Sequence, residues 1–333
     1  MYARGQGRSR LLLGVYVDDL IVTGTNAEEI TRFKKEMIER FRMSDLGLLH
    51  FYLGIEVRQN ASGITLSQAG YAGKLLELAG MAECNPALVP MEPRLKLSKD
   101  SNNPATDATF YRSIVGCLRY LVHTRPDISF AVGYVSRFMK APTTEHLAAV
   151  KHLLRYIAGT RSYGCRYSKD GDKELIGFSD SDMAGDMDDR NSTTGVLFSL
   201  GGSPITWQSQ KQKTVALSSC EAEYIAATSA ACQATWLRRL LEDMIGKQSD
   251  TITIYMDNKS TIQLCKNPVF HDRSKHIEIN GTQFVESQVC RRTESWLCAL
   301  IRRCRIAVGK LQDVGWHGLV GDSAISTACF YNR

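Results

Sequence analysis

Three carboxylates that lie far apart in the chain have the types and settings that metal-assisted chemistry needs. Asp180 closes an apolar run, in Phe178-Ser179-Asp180-Ser181-Asp182. Glu223 lies one turn into a long helical stretch that opens Ser218-Ser219-Cys220-Glu221-Ala222-Glu223-Tyr224. Asp257 closes a second run, in Tyr255-Met256-Asp257-Asn258. Acids at two strand ends and on the first turn of a neighbouring helix can meet at one edge of an α/β sheet, where open sheets place their sites. Three or four such acids can hold two magnesium ions ~4 Å apart for in-line attack of water on a phosphodiester. Each acid alone is equally an ordinary solvated strand end, so their joint placement carries the reading.

Three other groups carry weaker signals. Tyr16-Val17-Asp18-Asp19 separates two apolar runs, Leu11–Tyr16 and Leu20–Thr23, and reads as a hairpin with Asp18 and Asp19 at its tip. Two ionised carboxylates held ~4 Å apart repel by about 4 kcal/mol at moderate dielectric, and a divalent cation removes that repulsion. The plain alternative is that Asp-Asp is good turn chemistry. In His271-Asp272-Arg273-Ser274-Lys275-His276-Ile277-Glu278, Glu278 is a candidate fourth carboxylate, while His271 and His276, five apart, make a poor zinc pair. Trp207-Gln208-Ser209-Gln210-Lys211-Gln212-Lys213-Thr214 sets an aromatic ahead of polar and basic residues, which suits a phosphate backbone or a solvated loop. There is no Walker-type glycine loop, nucleophile elbow or dinucleotide fingerprint.

The elements that must position these residues follow from periodicity. Asn26 is an N-cap with Glu29 in capping-box position, before a helix through Ile30, Phe33, Met37, Ile38 and Phe41. Phe51, Leu53, Ile55 and Val57 alternate as one strand; a turn at 60–63 and a strand at 64–66 precede a helix ending at Gly80. Residues 84–105, with Pro86, Pro90, Pro93 and Pro104, form the clearest linker. Three helices follow, the second opening at Pro126-Asp127. After Gly159 come strands at 165–167, 175–178, 194–200 and 205–208, a helix over 219–244, a strand at 252–256 and a helix at 260–265. This order describes an α/β sheet flanked by helices. Beyond Val289 the periodicity fades.

Composition bounds the class without naming it. The 333 residues are 44% hydrophobic and 23% charged, so the chain can bury cores and is neither disordered nor fibrous. The formal charge of +6 is mild and does not announce a nucleic-acid binder. Ten cysteines without a Cys-x-x-Cys pair argue against a zinc site or a disulfide framework. No apolar run approaches the roughly 18 residues of a membrane span. The stretch before Asp18-Asp19 lacks the cleavage site of a signal peptide and is not read as one.

Together these motifs resemble the C-terminal part of a copia-type retrotransposon Pol polyprotein. They include Tyr16-Val17-Asp18-Asp19, Asp45-Leu46-Gly47 with Phe51-Tyr52-Leu53-Gly54-Ile55-Glu56, Tyr111-Arg112-Ser113-Ile114-Val115-Gly116 and Thr124-Arg125-Pro126-Asp127-Ile128. They continue with Ser179-Asp180-Ser181-Asp182, the stretch around Glu223, Asp257-Asn258 and Lys275-His276-Ile277-Glu278, so the likeness runs over about residues 2–289. The resemblance implies a truncated reverse transcriptase palm and thumb over 1–83, a linker and helical connection over 84–160, and a ribonuclease H-like mixed sheet flanked by helices over 161–289. Residues 290–333 match nothing in the family and are expected to be a poorly ordered tail.

By the family's pattern Asp18 and Asp19 are the paired palm acids, and Asp180, Glu223, Asp257 and Glu278 are the ribonuclease H ligands for magnesium, with manganese as a substitute. Glu223 is preferred to Glu221 because Glu-Tyr-Ile-Ala-Ala fits the stretch that carries the family ligand. Trp207, Lys211, Lys213 and His276 are the expected nucleic-acid contacts, and an RNA–DNA hybrid is the expected partner. The family's third palm aspartate lies upstream of the hairpin box, and Met1 falls fifteen residues before Tyr16, so DNA synthesis is expected to be lost. The expected function is endonucleolytic cleavage of RNA in hybrids. The alternative is a catalytically inactive retroelement remnant or a weak nucleic-acid-binding protein.

Overall fold

The computed structural model describes residues 1–169, 174–247 and 250–266, together with the backbone of two strand segments, 305–308 and 328–332. The N-terminal region opens with β1 (Tyr2–Arg4), β2 (Leu11–Tyr16), β3 (Asp19–Gly24), α1 (Ala27–Arg40) and β4 (Met43–Leu48). The expected hairpin is present: β2 pairs antiparallel with β3 up to Tyr16↔Asp19, leaving Val17-Asp18 as its two-residue turn. Asn26 caps α1 by accepting from the backbone N–H of Glu28 at 2.8 Å. Glu29 does not complete a capping box; its carboxylate pairs with Arg32 one turn on.

The single strand expected over 51–57 is instead a hairpin, β5 (Phe51–Tyr52) and β6 (Ile55–Asn60), paired Tyr52↔Ile55. Leu53 and Gly54 both take left-handed φ angles, 49° and 76°, as the tightest hairpin turns require. Alternating apolar residues conceal such a turn, because it reverses the chain without breaking the pattern. β7 (Gly63–Ser67) and α2 (Ala69–Leu78) complete this region.

Past the proline-rich linker, α3 (Ala108–Leu121), α4 (Ser129–Val135) and α5 (Thr144–Gly159) pack with α2 around a large apolar core that includes Tyr111, Ile114, Leu118, Val150 and Leu154. The Thr124–Ile128 motif is explained here. Arg125 is 1% exposed; its guanidinium binds Asp127 through Nε (2.9 Å) and Nη2 (2.7 Å) and donates to Thr160 O (2.9 Å) and Thr160 Oγ1 (2.7 Å). It ties the turn before α4 to the end of α5.

The strand expected at 165–167 forms as β8 (Gly164–Ser168), but in a different sheet from the one its sequence position indicated. It pairs antiparallel with β7, so the order is β5-β6-β7-β8. The C-terminal sheet begins at β9 (Leu175–Ser181) and continues with β10 (Thr193–Leu200), β11 (Ser203–Lys211), α6 (Ser219–Ile245), β12 (Thr253–Met256) and α7 (Lys259–Lys266). β9, β10 and β11 form an antiparallel meander, and β12 returns parallel to β9. Two strand segments are described beyond residue 289. β13 (Arg305–Val308) adds parallel to β12, giving the order β11-β10-β9-β12-β13, and β14 (Ala328–Asn332) pairs between β3 and β4.

α6 packs on one side against β9 and β10, and α4 meets β11. No helix among the described residues is long and apolar enough to cross a membrane.

Candidate functional site

The parallel pairing of β9 with β12 decides where two acids go. Their register is Ile254↔Gly177 and Tyr255↔Phe178, and the Phe178 and Tyr255 rings stack at 5.5 Å. Two residues further on in each chain stand Asp180 and Asp257. Strand alternation sets both acids on the side that carries the stacked rings. α6 supplies Glu223 from one turn inside its N-terminus. One oxygen of each of Asp180, Glu223 and Asp257 lies within 4.8 Å of the others. The three acids singled out by sequence are therefore brought together. Glu278, His271 and His276 lie outside the described residues.

A ring of hydrogen bonds fixes the elements that bear these acids. Ser218 caps α6, its Oγ accepting from Glu221 N at 3.2 Å, and Glu221 Oε2 accepts from Leu217 N at 2.7 Å. Glu221 thus serves the cap, and Glu223, about 200° further round the helix, faces the acids. Asn258, directly after Asp257, accepts from Thr261 N at 3.0 Å, and buried Thr261 donates from Oγ1 to Cys220 O at 3.0 Å. Gln212, just past β11, donates to Ala222 O at 2.9 Å, and its amide lies 3.1 Å from Ser181 Oγ and 3.0 Å from Thr194 Oγ1.

The electrostatics are those of a site that wants a cation. At 4.8 Å two ionised carboxylates repel by about 3.5 kcal/mol at an effective dielectric of ~20. Glu223 is 5% exposed, and burial, then the charges of Asp180 and Asp257, push its carboxyl up to about 8. Asp180 opens to solvent on one side; partial burial first, then Asp257, raises its carboxyl as well. Glu223 Oε2 is buried and has no hydrogen-bond partner. An orphaned acceptor beside two further carboxylates fits a hard divalent cation, whose preferred ligands are oxygens.

Asp180 also lines a cleft of about 380 Å³ on the sheet, with Asp182 and Trp207 on the sheet side and Pro126, Asp127 and Phe130 from the helical region. Its wall carries acids and no Lys or Arg. A phosphate backbone entering it needs a bound cation to offset that repulsion.

The other expected contacts are placed less simply. Trp207 is half-buried, and its indole N–H donates to Val122 O at 3.0 Å, joining β11 to the helical region. Lys211 does not face open solvent as a free cation: its Nζ lies 2.7 Å from Asp186 and 2.6 Å from Asp189. Lys213 is exposed beside a smaller polar groove shared with Gln210 and Gln233. Asp18 is exposed and Asp19 half-buried at the first hairpin. Among the described residues, Asp180, Glu223 and Asp257 form the metal-compatible group of three acids, and neither Asp18 nor Asp19 belongs to it.

Sequence reasoning missed several residues. Gln212 and Thr261 hold the acid-bearing elements. Asp186, 3% exposed in the β9–β10 loop, takes Arg137 Nη1 at 3.0 Å and the N–H of Asp188 at 3.0 Å, while Arg137 Nη2 donates to Thr193 Oγ1 at 2.9 Å. Burial opposes ionisation of Asp186, but Lys211 and these backbone donors hold its carboxyl well below the ordinary range. In sequence Gln212 is one of three glutamines at alternate positions, and nothing local separates it from exposed Gln208 and Gln210.

Comparison with known proteins places these features. Residues 1–93 match the family described as reverse transcriptase (RNA-dependent DNA polymerase). The chain is 42% identical over 289 residues to the Retrovirus-related Pol polyprotein from transposon RE1 of Arabidopsis thaliana, covering 87% of this chain and 20% of that protein. It is 33% identical over 231 residues to the "Putative transposon Ty5-1 protein YCL074W" of Saccharomyces cerevisiae, covering 68% of this chain and 75% of that one. A foamy viral protease-reverse transcriptase solved in complex with RNA/DNA hybrid is 12% identical with a TM-score of 0.48, over 90% of this chain and 36% of that one. The chain spans about a fifth of the length of the plant Pol polyprotein.

Proposed function

This chain belongs to the copia-type retrotransposon Pol family, and from that premise we propose that its C-terminal sheet is a magnesium-dependent endonuclease that cuts the RNA strand of RNA–DNA hybrids. The observation that carries this reading is the convergence of Asp180, Glu223 and Asp257, with one buried carboxylate oxygen left without a partner. Magnesium, or manganese in its place, held there would polarise the scissile phosphodiester and lower the pKa of the attacking water. The chain's own residues have three tasks. Asp180 and Asp257, exposed at the strand ends, offer oxygens to the ion, Asp180 at the wall of the cleft; Glu223 closes the inner side; the ring through Gln212 and Thr261 keeps all three in place. Glu278, the remaining family ligand, is proposed as the fourth.

Hybrid selectivity would come from groove shape and ribose 2′-OH contacts rather than base reading. Lys213, exposed near the same end of β11, is the clearest phosphate contact of the expected set. Lys211 already has two carboxylate partners and is assigned mainly to holding the β9–β10 loop. Trp207, with its N–H committed to Val122, offers the cleft only its ring. His276 stays a proposed contact by family pattern.

Polymerisation is not proposed for the first hairpin. A two-metal polymerase centre needs an acid beyond Asp18 and Asp19, and none joins them among the described residues. A primer-extension assay with incorporation above background would overturn this. The nuclease reading is tested on a labelled RNA–DNA hybrid with magnesium and then with EDTA. Cleavage should require the ion and should fall at least a hundredfold in Asp257→Asn. Equal cleavage by that variant, or none by the parent chain, leaves the inactive-remnant reading in its place.

A further inference from the structure

We propose that Gln212 is a positioning residue of the acid site, setting the separation of Asp180 and Glu223 from behind without touching substrate. The inference rests on the nuclease reading and deepens it. Gln212 is 5% exposed and shows only a sliver of its surface at the wall of the small groove beside Lys213, while its amide points inward. Its main chain is pinned from both sides: its N–H donates to Ser192 O at 2.7 Å, and its carbonyl accepts from Asn191 Nδ2 at 2.9 Å. The side chain then has one direction left, inward between the end of β9, β10 and the first turns of α6.

What it meets there explains the assignment. Its amide nitrogen bonds Ala222 O, the residue before Glu223, and Ser181 Oγ, the residue after Asp180. A third contact, Thr194 Oγ1 at 3.0 Å, anchors it to the strand between them. One side chain thus links the residue after Asp180, through its hydroxyl, to the backbone before Glu223, adding a polar tie to the apolar packing of α6 on β9 and β10. Ionised Glu223 on α6 is repelled by Asp180 and Asp257 on the strands, and a hydrogen-bonded strut opposes the separation of helix and strand that this repulsion favours. The opposite end of the same amide, Oε1, is buried without a partner. A residue kept only to fill space would be better as an apolar side chain of the same length, because an unpartnered buried acceptor is a net cost.

The test uses the full chain and manganese as the probe. Mn²⁺ binding is measured by titration calorimetry for the parent, Gln212→Met, Ser181→Ala and Asp257→Asn, and hybrid cleavage is followed at saturating magnesium. Gln212→Met keeps the length of the side chain and removes both polar atoms. It is expected to melt within a few degrees of the parent, to bind Mn²⁺ about tenfold more weakly and to lower kcat about tenfold with KM for the hybrid unchanged. Ser181→Ala, which removes one end of the strut with little change in volume, is expected to weaken Mn²⁺ about threefold and decides the matter should Gln212→Met fail to fold. Parent-like ion binding and kcat in a folded Gln212→Met, or in Ser181→Ala if that variant must decide, overturn the proposal while leaving the nuclease reading intact. A parent that binds Mn²⁺ no better than Asp257→Asn overturns the metal site itself, and the strut with it.

Discussion

Asp18 and Asp19 stand at the tip of a hairpin whose turn residue Val17 is 82% exposed, whereas Asp180 and Asp257 end two parallel strands with α6 laid beside them. Both places bring carboxylates close. Only the second surrounds them with protein: a buried Glu223, a capped helix, and hydrogen bonds from Gln212 and Thr261 to the backbone of that helix. Adjacency in sequence gives a pair of acids cheaply but gives nothing to hold a cation against solvent. Convergence from three elements is harder to encode, yet it creates the desolvation and the mutual repulsion that a cation relieves.

The sharpest way to break this comparison is to remove acids at each place. Asp180→Asn or Asp257→Asn should lower hybrid cleavage at least a hundredfold, while the double change Asp18→Asn with Asp19→Asn should leave it within twofold. The reverse pattern in a cleavage assay would show that the hairpin, not the sheet, holds the working site.

A second prediction concerns pH. The folded-state pKa of Glu223 lies near 8, above its ordinary 4.5, so the folded protein holds a proton that the unfolded chain releases. Its contribution to stability is full below about 4.5 and is lost as pH rises through about 8. Metal-free protein should therefore melt progressively lower across that window, and magnesium should raise the melting temperature most at its upper end. Glu223→Gln should flatten the slope. Parallel melting-versus-pH curves for parent and variant would contradict the assignment of that proton.

A smaller effect tests how the helical region supports the sheet. Arg137→Met removes the guanidinium from buried Asp186 but leaves Lys211 on the same oxygen, so the loss should be about 2 kcal/mol, within the range for a charge-assisted bond. Hydrogen exchange should speed up in the 182–192 loop and leave the first hairpin unchanged. The smallest effect belongs to that hairpin. Val17 is a β-branched residue at φ 50°, and Val17→Gly should stabilise the local fold by about 1 kcal/mol without altering cleavage. A destabilised Val17→Gly would mean that the tip is not strained.

Much of this was legible before any coordinates. The helices, the first hairpin and the three acids follow from periodicity and from polar residues placed at strand ends. What was not legible depends on partners distant in sequence. Residues 164–168 look like a strand whichever sheet they join, and only the pairing with β7 decides. Leu53-Gly54 hides a reversal inside an unbroken alternation, and this tight turn is recognised by its backbone angles. Lys211 reads as a nucleic-acid contact because its two acids lie over twenty residues upstream, in the β9–β10 loop. Residues 305–308 and 328–332 showed no periodicity strong enough to declare themselves, since a strand of four or five residues carries two cycles at most.

The pairing of β7 with β8 has a consequence for how the chain is made. The two strands are separated by about a hundred residues, which include α2 and the three helices of the connection. On the ribosome β7 emerges long before its neighbour, so its outer edge stays unpaired while the helices are synthesised. Open edges recruit other chains, and contacts this distant in sequence form slowly. Newly made protein should accordingly be most prone to self-association before residue 168 has cleared the exit tunnel, and a chaperone that covers strand edges should act in that interval.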